Sequence, residues 1–364
     1  MNKKILFGFV ISAIAIIFAC SKKSTPGDEP VVNSFDKGAM LINYADNLII
    51  PAYSDLQTQL NTLNTAVNGF LTNPTAANQQ MLKPVFKAAY LSFERVSFSQ
   101  LGPAETALLN NFLNTLPAMT NDDSNLAKIE SSIKSGSYDL QATATVNQQG
   151  FPALDYLLFA SDAVTKLNDA GNANRKKYIQ DVMARMQSLT SGVLTNWKNT
   201  YRGQFIANTK SDAGSPIGYM VNQFAYEMDQ LKGPRIGWPY GKQSAGAVFE
   251  TKLEGYYSGI SLSLAIENLT NLKILYVGGS SGNGLSAYLL ALKKDQLNSD
   301  IIRYFDNAIA KLKAIPEPLA NSLTNNKPAV DAAYKDIQIL LTALKTDMAS
   351  ALSVRITYTD NDGD

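Results

Sequence analysis

Histidine is absent from this 364-residue chain, and Cys20 is its only cysteine. The absence of histidine removes the commonest general base at neutral pH, the usual partner of a serine nucleophile and the usual nitrogen ligand of zinc. A single cysteine excludes an intrachain disulfide and a multi-thiolate metal site. The oxygen ligands of aspartate and glutamate remain, so iron(III) or calcium would suit this chain better than zinc.

An excess of charge of one sign is also lacking. Lys+Arg 32 stand against Asp+Glu 31, which gives a net charge of +1. Such a balance provides no basic surface that would bind nucleic acid by charge, so we expect no nucleic-acid partner.

A strongly apolar run occurs at the N-terminus, where residues 5–18 follow Lys3 and Lys4. The run is too short to span a bilayer and is typical of a secretory signal peptide. It ends in Ile17-Phe18-Ala19-Cys20, which resembles the lipobox of bacterial lipoproteins. The sequence therefore predicts a signal peptide over residues 1–19 and lipid attachment at Cys20. A short membrane anchor with an incidental cysteine is the alternative.

Residues 20–33 are polar, contain proline and glycine and lack apolar periodicity, so we predict a flexible tether there. Ser21, rather than aspartate, follows the lipid cysteine, which by analogy with lipoproteins favours the outer membrane. We expect the protein to face the periplasm. Exposure at the cell surface stays open, because no strongly acidic run follows Cys20.

Helical periodicity dominates the rest of the chain. Apolar residues recur at three- and four-residue spacing over 56–70, 82–96, 178–197, 302–312 and 330–348. A strand-like alternation occurs at 354–358, which is too short to form a sheet. The sequence predicts an all-α helical bundle with long loops between helices.

An internal similarity suggests duplication of a helical unit. Gly102-Pro103 precedes a Gly150 segment, as Gly233-Pro234 later precedes a Gly284 segment at similar spacing. Chance similarity of short helical segments is the competing explanation. We predict two related bundle-like halves, residues 34–167 and 168–364, with the join in the polar stretch near residue 168.

Several segments carry a resemblance to a known family. These are AAYLSFERVSFSQLGPAE (88–105), IESSIKSGSYDL ending at Leu140, GFPALDYLLFA (150–160), YYSGISLSL (256–264) and the terminal ITYTDNDGD. Their order and spacing resemble imelysin-like proteins along nearly the whole chain after Cys20. The resemblance implies a helical protein of two related halves that is secreted or lipid-anchored, an association with bacterial iron uptake and a historical peptidase label.

The family signature is Gly-x-His-x-x-Glu, and the matching run here is Gly150 to Asp155. Pro152 stands where the histidine would be, and Asp155 stands where the glutamate would be. Since the chain has no other histidine to replace that ligand, metallopeptidase chemistry is not expected.

Five residues are candidates for ligand binding, and each has a structural alternative. Gly150 permits an unusual turn and Pro152 favours a helix start, so Asp155 is either a helix-start carboxylate or a cleft residue that binds a cation or ligand. Glu94 either borders the core or is solvated, and a structural role is preferred. Trp238 either lines a cleft or packs its loop onto the bundle, and packing is preferred. Asp155 and Glu94 are the candidate metal ligands.

Three functions follow from these patterns. The first is a non-catalytic, lipid-anchored envelope protein that binds a metal, a metal complex or another small ligand in iron uptake, with a transport protein of the envelope as a partner. The second is a carboxylate-dependent or degenerate peptidase. The third is an envelope scaffold that binds another protein. The lack of histidine and of a free thiol favours binding over catalysis.

Overall fold

The computed structural model describes residues 35–116, 118 and 121–358, and no residue in these ranges belongs to a β-strand. The signal peptide, Cys20 and the tether lie outside the described residues, as do residues 359–364 of the terminal segment. None of the described helices has the length and apolar character needed to cross a membrane.

Ten principal helices organise the described chain. They are α1 (Lys37–Asn43, Tyr44–Ile49 and Ile50–Thr72), α2 (Ala76–Glu94), α3 (Asp123–Ser135), α4 (Gly150–Phe159), α5 (Ala173–Asn196, Trp197–Tyr201 and Arg202–Ala207), α6 (Pro216–Gln230 and Leu231–Gly237), α7 (Ser261–Val277), α8 (Leu285–Ala291), α9 (Asp295–Lys313) and α10 (Lys327–Thr342, Ala343–Met348 and Ala349–Ala351). Shorter helices lie at Pro103–Thr106, Leu109–Leu113, Thr143–Gln148, Ala163–Asn168, Glu250–Lys252, Gly279–Ser281 and Leu319–Asn325.

The all-α prediction is confirmed, and the predicted stripes explain the helices. In α1 the residues of the stripe are almost completely buried, namely Leu56, Leu60, Leu63, Val67 and Phe70. Each stripe becomes a core-facing surface because a helix with one apolar side gains most when a partner helix covers it. The alternating residues 354–358 form no strand.

Two groups of helices pack within the compact unit that the described residues from Phe35 onward form. In the first, α1 packs against α2 and α5, and α4 packs against α2 and α5. In the second, α10 packs against α6 and α9, and α9 packs against α7. Contacts between α2 and α7 join the two groups.

The relation of the two halves by duplication stays a prediction. Helix α5, which follows residue 168, still packs against α1 and α4 of the first group. The chain therefore passes from the first group of helices to the second after residue 168. A polar linker in the sequence therefore does not mark the point where contacts change.

The end of α6 is a π-helical turn, Leu231–Gly237, and it positions Arg235. Pro234 lies inside the turn and has no N–H to donate to an α-helical ladder. A Cβ on Gly237 would lie 2.5 Å from the Lys232 carbonyl oxygen, so glycine is required for this close approach. Widened turns of this kind often occur at functional sites.

Candidate functional site

A buried acid–arginine cluster lies where the end of α2, the π turn of α6 and the loop before α7 meet. It consists of Glu94, Glu227, Glu254 and Arg235, which are all buried. Nη1 of Arg235 lies 2.7 Å from Oε2 of Glu94 and 2.6 Å from Oε2 of Glu254. A single guanidinium group therefore contacts two carboxyl groups at once.

Polar side chains connect the rest of the cluster. Oε2 of Glu227 accepts hydrogen bonds from the Ser97 hydroxyl and from Nδ2 of Asn268, both at 3.1 Å. Nδ2 of Asn114 donates to Oε1 of Glu254, and the Tyr90 hydroxyl donates to Oδ1 of Asn114 at 2.6 Å. The cluster thus belongs to a network that spans α2, α6 and α7.

Ionising every carboxyl group of this network would cost free energy, because three buried carboxyl groups surround one guanidinium. Burial raises the pKa of Glu94 well above its ordinary value, although Arg235 acts in the opposite direction. Burial likewise raises the pKa of Glu227, against the effect of Arg235. Burial alone would lower the pKa of Arg235, but Glu254, Glu94 and Glu227 raise it. Arg235 stays cationic, and burial favours the neutral form of Glu94.

A polar cavity of about 70 Å³, called the inner cavity here, adjoins this cluster. It is lined by Phe93, Ser97, Asn110, Asn111, Asn114, Thr115, Leu116, Tyr226, Glu227, Gln230 and Arg235.

A larger depression of about 350 Å³, called the outer groove here, shares Asn110, Asn111 and Tyr226 with the inner cavity. Its other lining residues are Gln100, Glu105, Leu108, Ala213, Tyr219, Asn222, Gln223, Thr357 and Tyr358. The shared residues place the two spaces side by side, with the cluster at the inner end.

The predicted signature run begins α4, as expected, and its glycine is required by the backbone. Gly150 has a φ of +74°, and a Cβ there would lie 2.3 Å from the carbonyl oxygen of Leu113. Pro152 is buried inside the first turn of α4. Neither residue lines the inner cavity or the outer groove, and ligand binding by either stays a prediction.

Asp155 is buried, with 1% of its surface exposed, and both of its carboxyl oxygens have partners. Oδ2 accepts the Tyr257 N–H at 2.8 Å and Oδ1 accepts the Ser258 N–H at 2.9 Å. Burial raises the pKa of Asp155 to about 6, while the hydrogen bonds from Ser258 and Tyr257 oppose that rise. Asp155 therefore links α4 to the loop before α7. Ligand binding by Asp155 stays a prediction that these contacts do not favour.

Among the other candidates, Glu94 alone belongs to the cluster. Trp238 is half-buried and lies under the ammonium group of Lys252, 5.9 Å from the ring centroid, which agrees with packing of its loop. Arg95 does not pair with its neighbour Glu94 but with Asp55 and Glu267, at 2.8 and 2.6 Å.

Four residues of the buried network were not predicted from the sequence, namely Glu227, Glu254, Arg235 and Asn114. One signal was available for Glu227, which lies three residues after Phe224 and four before Leu231 on the buried stripe of α6. A carboxyl group on an apolar stripe indicates a buried partner. Arg235 and Glu254 carry no such periodic signal, because Arg235 lies in the π-helical turn that ends α6 and Glu254 lies in the loop before α7.

Within the described residues, no group of three or more cysteine, histidine, aspartate or glutamate side chains is placed to hold a metal ion. Metal binding by Asp155 and Glu94 thus stays a prediction. The contact of Arg235 with Glu94 does not favour it, because a cation there would have to replace the guanidinium group.

The fold and the site define an all-helical protein of two packed helix groups with a buried, histidine-free polar network at their junction. The imelysin family model (peptidase family M75) matches residues 49–350. The chain belongs to the imelysin family, which confirms the resemblance seen in the sequence.

Individual relatives are distant in sequence but similar over most of their length. The chain is 21% identical over 301 residues to iron-regulated protein A of Synechococcus elongatus, covering 79% of this chain and 78% of that protein. A crystal structure of a candidate iron-regulated protein A precursor from Parabacteroides distasonis matches 87% of this chain and 95% of its own, with a TM-score of 0.72 and 20% identity. An imelysin-like protein from Psychrobacter arcticum matches 91% of this chain and 99% of its own, with a TM-score of 0.72 and 18% identity. At these identities the structures establish the fold alone.

Proposed function

We propose that this protein is a lipid-anchored, non-catalytic binding protein of the outer membrane that takes part in iron acquisition. It holds iron(III) as a complex with a small chelator, in the inner cavity and the outer groove. The similarity to iron-regulated protein A supports the iron-related role. The lipobox-like Ile17 to Cys20 supports the anchor.

The acid–arginine cluster beside the inner cavity is the observation that carries the proposal. Two of its three carboxyl groups, Glu94 and Glu254, already share the guanidinium of Arg235, so a bare metal ion would meet a fixed positive charge there. A chelate that brings its own oxygen ligands needs only hydrogen bonds and shape from the protein. The amides of Asn110 and Asn111 line the cavity and provide such hydrogen bonds, whereas the amide of Asn114 is already engaged by Glu254 and Tyr90.

The test of binding uses the full mature lipoprotein in detergent, titrated with a panel of iron(III) chelates by calorimetry. Asn111 is exposed and lines both spaces, so Asn111→Trp should fill the site while costing little stability. Asn307→Trp, on the exposed side of α9, is the matched control. Saturable binding that Asn111→Trp abolishes and Asn307→Trp preserves is expected. A panel without any binding would overturn the proposal.

Two further measurements test the anchor and the lack of catalysis. Cys20→Ala should abolish palmitate labelling and membrane fractionation, and unchanged labelling would refute the anchor. Zinc-dependent proteolysis is not expected from a chain without histidine. Chelator-sensitive peptide cleavage that titrates with zinc and survives rigorous purification would show instead that the protein is a peptidase.

A further inference from the structure

The outer groove combines aromatic rings with amide side chains. Tyr219, Tyr226 and Tyr358 are half-buried and line it, and the rings of Tyr226 and Tyr358 meet edge to face with their centroids 5.8 Å apart. Gln100 and Gln223 add amide groups. Aromatic surfaces with a few polar groups are typical of a small-molecule site.

Several of these amide atoms are buried without a hydrogen-bond partner in the protein. They are Nε2 of Gln100, Oδ1 of Asn110 and Oε1 of Gln223. A buried polar atom left unpaired costs about 1–3 kcal/mol, so such atoms clustered in one groove indicate a site that receives hydrogen bonds from a ligand. The set contains both a donor and acceptors, and the ligand must therefore offer both.

The wall behind these amides is fixed by the C-terminal segment. Nδ2 of Asn222 donates to the Arg355 carbonyl oxygen at 3.0 Å, and its Oδ1 accepts the Thr357 N–H at 2.7 Å. Since Asn222 is fully engaged, it holds Thr357 and Tyr358 in place along the groove. A site of this kind is preorganised rather than formed by the ligand.

The charges at the groove exclude strong attraction of an anion. Glu105 is the one charged side chain among the described residues that line it. Arg235, in the inner cavity, is already in contact with Glu94 and Glu254. Lys345, whose ammonium group lies 5.3 Å from the ring centroid of Tyr358, is paired with Asp229 at 3.4 Å. An anionic ligand would meet Glu105, while both of these cations already have carboxylate partners.

We propose that the outer groove selects an uncharged iron(III) chelate rich in amide and hydroxamate groups, and discriminates against anionic chelates of the catecholate or citrate type. This inference rests on the proposed function, since it names the class of chelate that the binding protein takes. The amides of Gln100, Asn110 and Gln223 pair with the polar rim of the chelate, and the tyrosine rings cover its apolar surface.

Calorimetry on the mature lipoprotein in detergent tests the charge selectivity. The probes are ferrichrome, an uncharged trihydroxamate complex, the trianionic iron(III) complex of enterobactin, and ferric citrate. We expect ferrichrome to bind at least about tenfold more tightly than either anionic chelate. Gln223→Leu should weaken ferrichrome about three- to tenfold, the loss of one hydrogen bond, with an unchanged melting temperature.

A charge reversal at the groove sharpens the same experiment. Glu105 is exposed, and Glu105→Lys should strengthen the binding of anionic chelates while leaving ferrichrome nearly unchanged. Asp169→Lys, an equal charge change at an exposed site outside the groove, controls for net charge.

The outcomes separate this inference from the proposed function. If anionic chelates bind more tightly than ferrichrome and Asn111→Trp abolishes that binding, the inference is overturned and the proposed function stands. If no chelate binds, both are overturned. Tight binding of ferrichrome, lost in Asn111→Trp and weakened in Gln223→Leu, supports both.

Discussion

Asp155 and Glu94 are both buried carboxyl groups, yet their surroundings differ in kind. Asp155 accepts one backbone N–H on each oxygen, and it lines neither the inner cavity nor the outer groove. Glu94 shares the guanidinium of Arg235 with Glu254, beside the inner cavity, and its Oε1 accepts no hydrogen bond. Burial raises the pKa of both residues. A raised pKa therefore does not tell a structural carboxyl group from one at a candidate site. The groups that each carboxyl contacts do tell them apart.

Tyr90 lies between these two regions and shows how close they are. Burial, and then the carboxyl groups of Glu254, Glu94 and Asp155, raise the pKa of Tyr90. Its ring stacks on Phe151 of α4 at 4.3 Å, while its hydroxyl donates to Asn114 in the network. The start of α4, with Phe151 and Asp155, thus supports the cluster from one side. It contributes no side chain to the cluster itself.

Replacement of Arg235 by methionine should have the largest effect on stability. The change removes the cation that two buried carboxyl groups contact, and such losses cost about 3–5 kcal/mol. Urea denaturation of the mature protein measures the change in the free energy of unfolding.

The control for this prediction is Arg202→Met. Arg202 pairs with Asp46 at 2.6 Å on the surface, and its loss should change stability little. Equal effects of the two substitutions would contradict the view that the cluster depends on its cation.

Gly150→Ala tests the start of α4. Its loss in the free energy of unfolding should be the next largest. The substitution places a Cβ against the Leu113 carbonyl oxygen at a φ of +74°, so we expect a loss of about 3 kcal/mol or more. Gly171→Ala is the matched control, because Gly171 also has a positive φ of +89° but no atom within 4 Å of an added Cβ. Both losses are measured by urea denaturation. A similar loss in both variants would show that the positive φ causes the destabilisation and that contact with the Leu113 carbonyl oxygen adds nothing.

Much of the fold could be predicted from the sequence, because apolar spacing records which face of a helix is buried. The stripes of α1, α2, α5, α9 and α10 were predicted, as was the backbone turn at Gly150. Helix-by-helix periodicity does not record which helices become neighbours. The packing of α5 with α1 and α4 could not be obtained in that way.

The candidate site could be predicted only in part. Glu94 was a candidate because it lies one residue beyond Phe93 of an apolar stripe, but its partners Arg235 and Glu254 are 141 and 160 residues away in sequence. Asp155 was selected from the signature run, and the carboxyl group was expected near its own helix start. It binds instead to backbone N–H groups of a loop about a hundred residues later, a contact that no local pattern encodes.

Asp155→Asn should destabilise the protein by about 1–3 kcal/mol near pH 5, because an amide can accept only one of the two N–H groups and turns its own NH₂ toward the other. The folded pKa of about 6 lies above the ordinary value of 3.8, so the stability contributed by Asp155 is present in full below pH 4 and is lost as the pH rises through 6. The penalty of the substitution should therefore shrink between pH 4 and 6, as measured by urea denaturation at each pH. Asp162→Asn, at an exposed position, is the control. A penalty that grows with pH would contradict this assignment.

The smallest effect is expected for Glu94→Gln. If Glu94 is neutral in the folded protein, glutamine preserves its shape and its lack of charge, and the cost should stay below about 1 kcal/mol. Glu254→Gln removes an acceptor of both Arg235 and Asn114, so it should cost more, about 2 kcal/mol.

The pH dependence of the stability of Glu94→Gln tests independently whether Glu94 is neutral in the folded protein. Because the folded pKa of Glu94 is raised above its ordinary value of 4.5, wild-type stability from this group is lost as the pH rises above that value toward the folded pKa. Glu94→Gln cannot lose a proton, so its stability relative to wild type should improve as the pH increases, in urea titrations at matched ionic strength. Equal costs for Glu94→Gln and Glu254→Gln at all pH values would show that the proton is not localised on Glu94.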